Sequence, residues 1–170
     1  MIDILQILAV LLVAVAMALA LAHALELPGK MRLSKEAYYA MQPIYYPGFT
    51  IGGFAEPVGL ILTIIILFLT PSGATSFWLT LAALLGLIGM QATYWLFTHP
   101  VNKFWLKGQK LSGLGSGFFS FGANRSRPRN EPGSADWTDL RDQWEYSHVA
   151  RAGLAFASLT TLVIAISSSH

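Results

Sequence analysis

The chain has no cysteine and little charge: of its 170 residues, 12% are Asp, Glu, Lys or Arg. The first absence excludes disulfide frameworks, thiolate nucleophiles, Cys-ligated zinc and iron–sulfur clusters, and dithiol redox chemistry. The second sets the chain apart from ordinary soluble domains, which are about one-quarter charged. A net charge of +2 gives no reason to expect nucleic acid as a partner. No phosphate loop is present either. The "GLGSG" stretch at 113–117 has no Lys-Ser/Thr pair after it, and no strand pattern precedes it.

In place of charge there is apolar length. With 54% of residues hydrophobic and a mean hydropathy of +0.53, the chain reads as an integral membrane protein. A hydrocarbon core ~30 Å thick needs about 20 mostly apolar residues per helix, and four segments qualify, at 4–25, 54–70, 77–98 and 147–166. The first could pass for a signal peptide, but it begins "MIDILQ" without Lys or Arg and is too long, so a retained span is expected. "PSGATS" joins the second and third spans in a tight turn, which makes those two helices antiparallel neighbours. The expected fold is a single all-α domain over 1–170, an integral membrane four-helix bundle.

All eleven Lys and Arg lie at one end of this arrangement, in the two long junctions or beside the start of the fourth span. The positive-inside bias then places both junctions in the cytoplasm and both termini on the extracytoplasmic side, as expected for a multi-pass protein of a bacterial inner membrane. In the first junction, a short interfacial helix is expected after Ser34. The aromatic run that includes Tyr38, Tyr39, Tyr45 and Tyr46 reads either as an interfacial belt or as a lid over the mouth of the bundle. The second junction holds a Gly/Ser/Asn/Pro-rich linker at 107–134, whose "NRSRPRN" suits anionic lipid better than nucleic acid. The fourth helix should begin near Ser134, with Asp136, Asp139 and Asp142 in its first turns. It is then about 32 residues or ~48 Å long, and projects beyond the hydrocarbon.

Polar residues within the spans are distributed unevenly. His23 and Glu26 close the first span, Glu56 opens the second just before Pro57, His99 and Asn102 follow the third, and Glu145 and His148 open the fourth together with Arg141, Trp144 and Arg151. The opposite ends carry almost nothing: Asp3, Gln6, Ser and Thr, with His170 as the terminal residue. Ionisable residues at membrane depth are costly and by default suggest a functional site, although span termini also accommodate polar residues without any function. The candidate catalytic set is His23, Glu26, Glu56, His99, Glu145, His148 and Arg151, with Asn102, Arg141, Trp144, Tyr45 and Tyr46 as candidate ligand contacts. The His-x-x-Glu and Glu-x-x-His pairs partly match carboxylate-bridged di-iron bundles, and two of the histidines could hold a b-type haem. Without any metal, His and Glu could transfer protons on an aromatic or quinone-like substrate, with Arg151 or Arg141 stabilising an oxyanion. A different class of reading is a non-catalytic accessory subunit of a larger membrane complex, with Gly86, Gly89 and Gly153 as helix-packing points.

The segments "LAHALELPGKMRL", "QPIYYPGF" with "EP" following, "TYWLFTHPVNKFW" and "LRDQWEYSHVARA" resemble the bacterial branch of a four-span membrane family of unassigned function that includes the anthrone oxygenases of polyketide pathways. The resemblance covers nearly the whole chain. It implies a four-helix membrane bundle and oxygen-dependent oxidation of a phenolic or anthrone-like ring without a recognised cofactor motif. No catalytic motif carries over with it, so the residue roles above rest on physical argument.

Overall fold

A computed structural model describes residues 2–45, 48–105 and 136–168, and every element among them is helical. In chain order these are α1 (Ile2–Lys30), α2 (Lys35–Met41), a 3₁₀ turn (Gln42–Tyr45), α3 (Gly48–Gly53), α4 (Ala55–Leu69), α5 (Thr75–Thr93), a π-helical stretch (Tyr94–Thr98), α6 (His99–Trp105) and α7 (Asp136–Ser167). Four helical stretches are long and apolar enough to cross a membrane: Ile2–Lys30, Gly48–Leu69, Thr75–Asn102 and Trp137–Ser167. The linker at 107–134, the proposed cap Ser134 and the candidate contact Tyr46 lie outside the described residues.

The four long helices pack cyclically, α1 on α4 and α7, and α5 on α4 and α7. Each presents a seam in which buried residues alternate at spacings of three and four. On α1 this seam is Gln6, Ala9, Val13, Ala16, Ala20 and His23; on α5 it is Ser76, Thr80, Ala83, Leu87 and Met90. Such a 3.5-residue period keeps one narrow stripe facing its neighbours. Small residues bring the backbones close. A methyl group added at Gly59 would stand 3.3 Å from the Val13 side chain, and one at Gly86 would collide with the Ser158 hydroxyl. In the half of the bundle toward the α4–α5 turn, Ala9, Val13, Ile66, Ala83, Leu87 and Leu162 form an apolar core.

Two boundaries differ from the sequence reading, and both differences shape the site. The helix that carries the first apolar run does not end near residue 25. It continues through Pro28 to Lys30, because a proline costs its helix one bond back to residue 24, while Met31 N–H still reaches the Leu27 carbonyl at 3.0 Å. Helical structure on the second apolar run starts earlier than residue 54. Gly48–Gly53 is helical, and Gly52 allows it to lie against α1, since a Cβ there would stand 2.7 Å from Leu19 Cδ1. The helix after Ser34 is present, with the Ser34 hydroxyl capping Ala37 N–H at 3.3 Å.

Candidate functional site

At one end of the bundle, α2, the 3₁₀ turn and α3 fold across the helix tips. Tyr38, Tyr45, Val101, Trp105 and Trp144 form a second apolar core there. Beneath it is a partly open cavity of about 240 Å³ lined by side chains of all four long helices and of the overlying segment. That volume equals about eight waters at ~30 Å³ each, so it suits an organic ligand more than isolated solvent. Its apolar walls include Ala16, Leu19, Ala20, Phe49 and Phe54, and Trp95 and Trp144 add flat surfaces. Phe54 and Trp95, which are about half exposed, stand on the rim.

The polar lining is specific. His23 on α1 and His148 on α7 meet ring to ring, with centroids 4.2 Å apart. Tyr45, Phe49 and Trp144 pack around His23 at 4.4–5.0 Å. The hydrogen-bond partners fix opposite tautomers. His148 Nδ1 lies 2.8 Å from the Trp144 carbonyl, which can only accept, so Nδ1 carries the proton and Nε2 keeps a lone pair. His23 Nδ1 lies 3.2 Å from Lys30 Nζ, an ammonium that can only donate, so its proton sits on Nε2. One ring nitrogen that accepts and one that donates are therefore left over. Across the cavity, Arg151 Nη2 donates to Glu56 Oε2 at 2.6 Å, tying α7 to α4, and the guanidinium lies over the Tyr94 ring. Asn102 Oδ1 accepts from Trp144 Nε1 at 2.7 Å.

The π-helical stretch directs Tyr94, Thr98 and Asn102 to the cavity together. His99 N–H bonds the Tyr94 carbonyl five residues back, and Pro100, with no N–H, cannot restore the ordinary ladder. Beside this turn the Phe97 carbonyl accepts from the Gln143 side-chain amide at 3.0 Å. Thr98 is fixed to α7 by a 2.8 Å hydroxyl–hydroxyl bond to Ser147.

Next to the cavity is a cluster that spacing alone did not single out. Lys30 is 2% exposed, and its ammonium faces three acceptors: His23 Nδ1 at 3.2 Å, Glu26 Oε2 at 3.0 Å and Glu145 Oε2 at 3.4 Å. Tyr38 donates to the other oxygen of Glu145 at 2.8 Å, and Tyr45 donates to Glu26 at 2.6 Å. Burial, followed by the neighbouring carboxylates, raises the ionisation of both phenols far above their ordinary range, so they remain donors.

Of the residues anticipated from sequence, His23, Tyr45, Glu56, Asn102, Trp144, His148 and Arg151 line the cavity. Glu26 and Glu145 belong to the adjoining lysine cluster, with Glu145 fully buried and Glu26 45% exposed. Arg141 pairs with its neighbour Asp142 and lies over Trp137, outside the cavity lining. His99 packs against Tyr94 and Trp95 and is also outside the lining, because the π turn rotates it off the cavity face. Lys30, Tyr38, Gln42, Phe49, Tyr94 and Thr98 were not anticipated as site residues. For Lys30 a signal existed, since His23 and Lys30 are seven residues apart on the α1 seam.

The donors at this cavity do not form a metal-ligand cluster among the described residues, and His23 and His148 do not frame a haem between them. Among the described residues no three His, Asp or Glu side chains gather as metal ligands. The His23 and His148 rings touch, which leaves no gap for a porphyrin between them, and the Lys30 ammonium is already bonded to the His23 ring. When the chain is compared with models of known protein families, with curated proteins and with solved structures, nothing matches.

Proposed function

We propose that the protein binds a flat, oxygen-bearing aromatic molecule of the phenol, quinone or anthrone type in this cavity and removes a proton from it. The single observation behind this reading is a set of buried polar atoms without partners. Among the described residues there are four such side-chain atoms, and three of them, Gln42 Nε2, Glu56 Oε1 and Arg151 Nε, belong to residues lining this cavity. Buried donors and acceptors are nearly always satisfied, so two unmet donors and an unmet acceptor on residues that line one apolar, aromatic-walled space argue for a polar ligand there. His148 Nε2 is the base: it is neutral and its lone pair is uncommitted. Arg151 and the His23 Nε2–H stabilise the resulting oxyanion.

The resemblance to the anthrone oxygenases suggests the fate of that anion. A deprotonated anthrone is electron-rich, and with molecular oxygen it yields the quinone and water, a reaction in which oxygen is the oxidant. In this reading the cavity lies at the cytoplasmic end of an inner-membrane protein whose termini are both outside, and the lipophilic substrate arrives from the bilayer past Phe54 and Trp95.

The test uses the full chain in detergent or lipid nanodiscs, titrated with anthrone and with 1,4-naphthoquinone while tryptophan fluorescence is followed, alongside oxygen consumption with anthrone. Saturable quenching is expected. Arg151→Met should weaken binding by about ten- to a hundredfold, the value of a hydrogen bond to a charged group, and His148→Ala should abolish oxygen uptake. If neither compound quenches, the ligand class is wrong. If both bind but oxygen uptake does not change in His148→Ala, the proton-abstraction role is wrong.

A further inference from the structure

The cavity is not connected to water only by its own opening. His23, which lines it, has its Nδ1 on Lys30 and so keeps an Nε2–H, and Lys30 in turn contacts Glu26 at 3.0 Å. This line leads from buried groups to an exposed one: His23 is 5% exposed, Lys30 2% and the Glu26 side chain 45%. We propose that His23, Lys30 and Glu26 form a proton relay between the cavity and the aqueous face, joined on one helix by the seven-residue repeat of α1.

An imidazole held between a donor and a cavity can pass a proton without moving. As the His23 Nε2–H bond breaks and an O–H bond forms on an anion in the cavity, a Lys30 Nζ–H bond breaks and the His23 Nδ1–H bond forms. Lys30 is then reprotonated from water through the Glu26 carboxylate. One proton moves from solvent to cavity, no electron changes hands, and the reverse sequence exports a proton. The groups facing Lys30 from the packed elements are His23 and Glu26 on α1, Tyr45 on the 3₁₀ turn, and Glu145 and Trp144 on α7, with Tyr38 of α2 acting through Glu145.

The outlet is Glu26 and not Glu145. Glu145 is fully buried, and its second oxygen is occupied by the Tyr38 hydroxyl, so it ends the line instead of extending it. Its other oxygen lies 3.4 Å from Lys30 Nζ, so the lysine is held from α7 as well. Tyr45, which donates to Glu26 at 2.6 Å, holds that carboxylate on the lysine. A purely structural ion pair would not require its exposed partner to be the one nearest both the lysine and water.

This inference rests on the reading of the cavity as a proton-handling site, but its test needs no ligand, so failure of one can be told from failure of the other. The full chain, labelled with ¹⁵N-histidine and placed in nanodiscs, is followed by NMR near neutral pH. Nitrogen shifts should show His23 protonated at Nε2 and His148 at Nδ1. The opposite His23 tautomer overturns the proposal. The His23 Nε2–H should exchange with deuterated water about a hundredfold more slowly in Glu26→Gln, in keeping with the rate a positioned proton-transfer group supplies. The amide oxygen in that variant still accepts from Tyr45, so the fold is kept, and added azide should restore exchange by replacing the missing carboxylate. A structural role predicts the reverse sign, since a loosened cluster exchanges faster. Exchange that is unchanged or faster in Glu26→Gln, or slowed exchange that azide does not restore, overturns the relay.

Discussion

The two ends of this bundle are built from the same four helices and treat their polar groups differently. Toward the α4–α5 turn, the buried hydroxyls are settled within their own helices: Thr63 donates to the Gly59 carbonyl and Thr80 to the Ser76 carbonyl, each at 2.8 Å. Apolar side chains fill the remaining space. At the other end the seams carry His23 on α1, Glu56 on α4 and His148 on α7, which line a cavity. One end is closed packing that satisfies itself. The other leaves three buried polar atoms open among residues that share one space. The contrast separates what holds the helices together from what the protein does with them.

The most damaging way to disturb that contrast is to unbalance the lysine cluster. Lys30→Met strands Glu145, which is 0% exposed, with only the Tyr38 hydroxyl as partner. Removing one member of a buried ion pair costs about 3–5 kcal/mol. Thermal unfolding in detergent should show a large loss of stability, and the paired change Lys30→Met with Glu145→Leu should recover most of it. If the double variant is no better than the single, the pair is not the unit described.

A smaller effect is expected from the closed end. Gly86→Ala places a methyl group onto the Ser158 hydroxyl and 3.4 Å from the Leu154 carbonyl. Over-packing of this kind costs about 1–3 kcal/mol. Because Ser158 donates to that same Leu154 carbonyl, it cannot turn away without losing the bond. Ser158→Ala in the same chain should therefore recover part of the loss. Anthrone quenching should be unaffected in both, since neither residue lines the cavity. A change in binding would show that the two ends are coupled.

How far the sequence discloses this arrangement depends on which coordinate of a residue is asked for. Depth along the bundle is legible: apolar runs separate spans from junctions, and the order of the spans alone puts His23, Glu56 and His148 at one end. Rotation about each helix is legible only while the helix is regular. His99 and Asn102 are at similar depth, but the π turn at Tyr94–Thr98 turns Asn102 into the cavity and His99 away, and nothing short of the hydrogen-bond ladder reveals that turn. Lys30 was hidden for another reason. "LPGK" has the composition of a helix end, yet α1 runs past its proline, and Tyr45 of the 3₁₀ turn and Glu145 and Trp144 of α7 surround Lys30 there. Tyr38 and Gln42 depend on how the short elements fold across the tips, a tertiary choice with no local signature.

The mildest expected change addresses that covering segment. Ser34 caps α2, a helix of seven residues, through one 3.3 Å bond to Ala37 N–H. So short a helix is not stable alone and depends on its cap and on Tyr38, which is fully buried against Trp105 and bonded to Glu145. Ser34→Ala should cost about 1 kcal/mol, a loss confined to α2 because the tyrosine anchor remains. Amide hydrogen exchange is the suitable measurement. Residues 37–41 should exchange about fivefold faster, as that energy implies, while the seam of α1 around Ala16 and Ala20 stays as protected as before. If protection of α1 falls equally, the cover and the bundle unfold as one unit. The polar end would then owe its order to the same cooperative packing as the closed end.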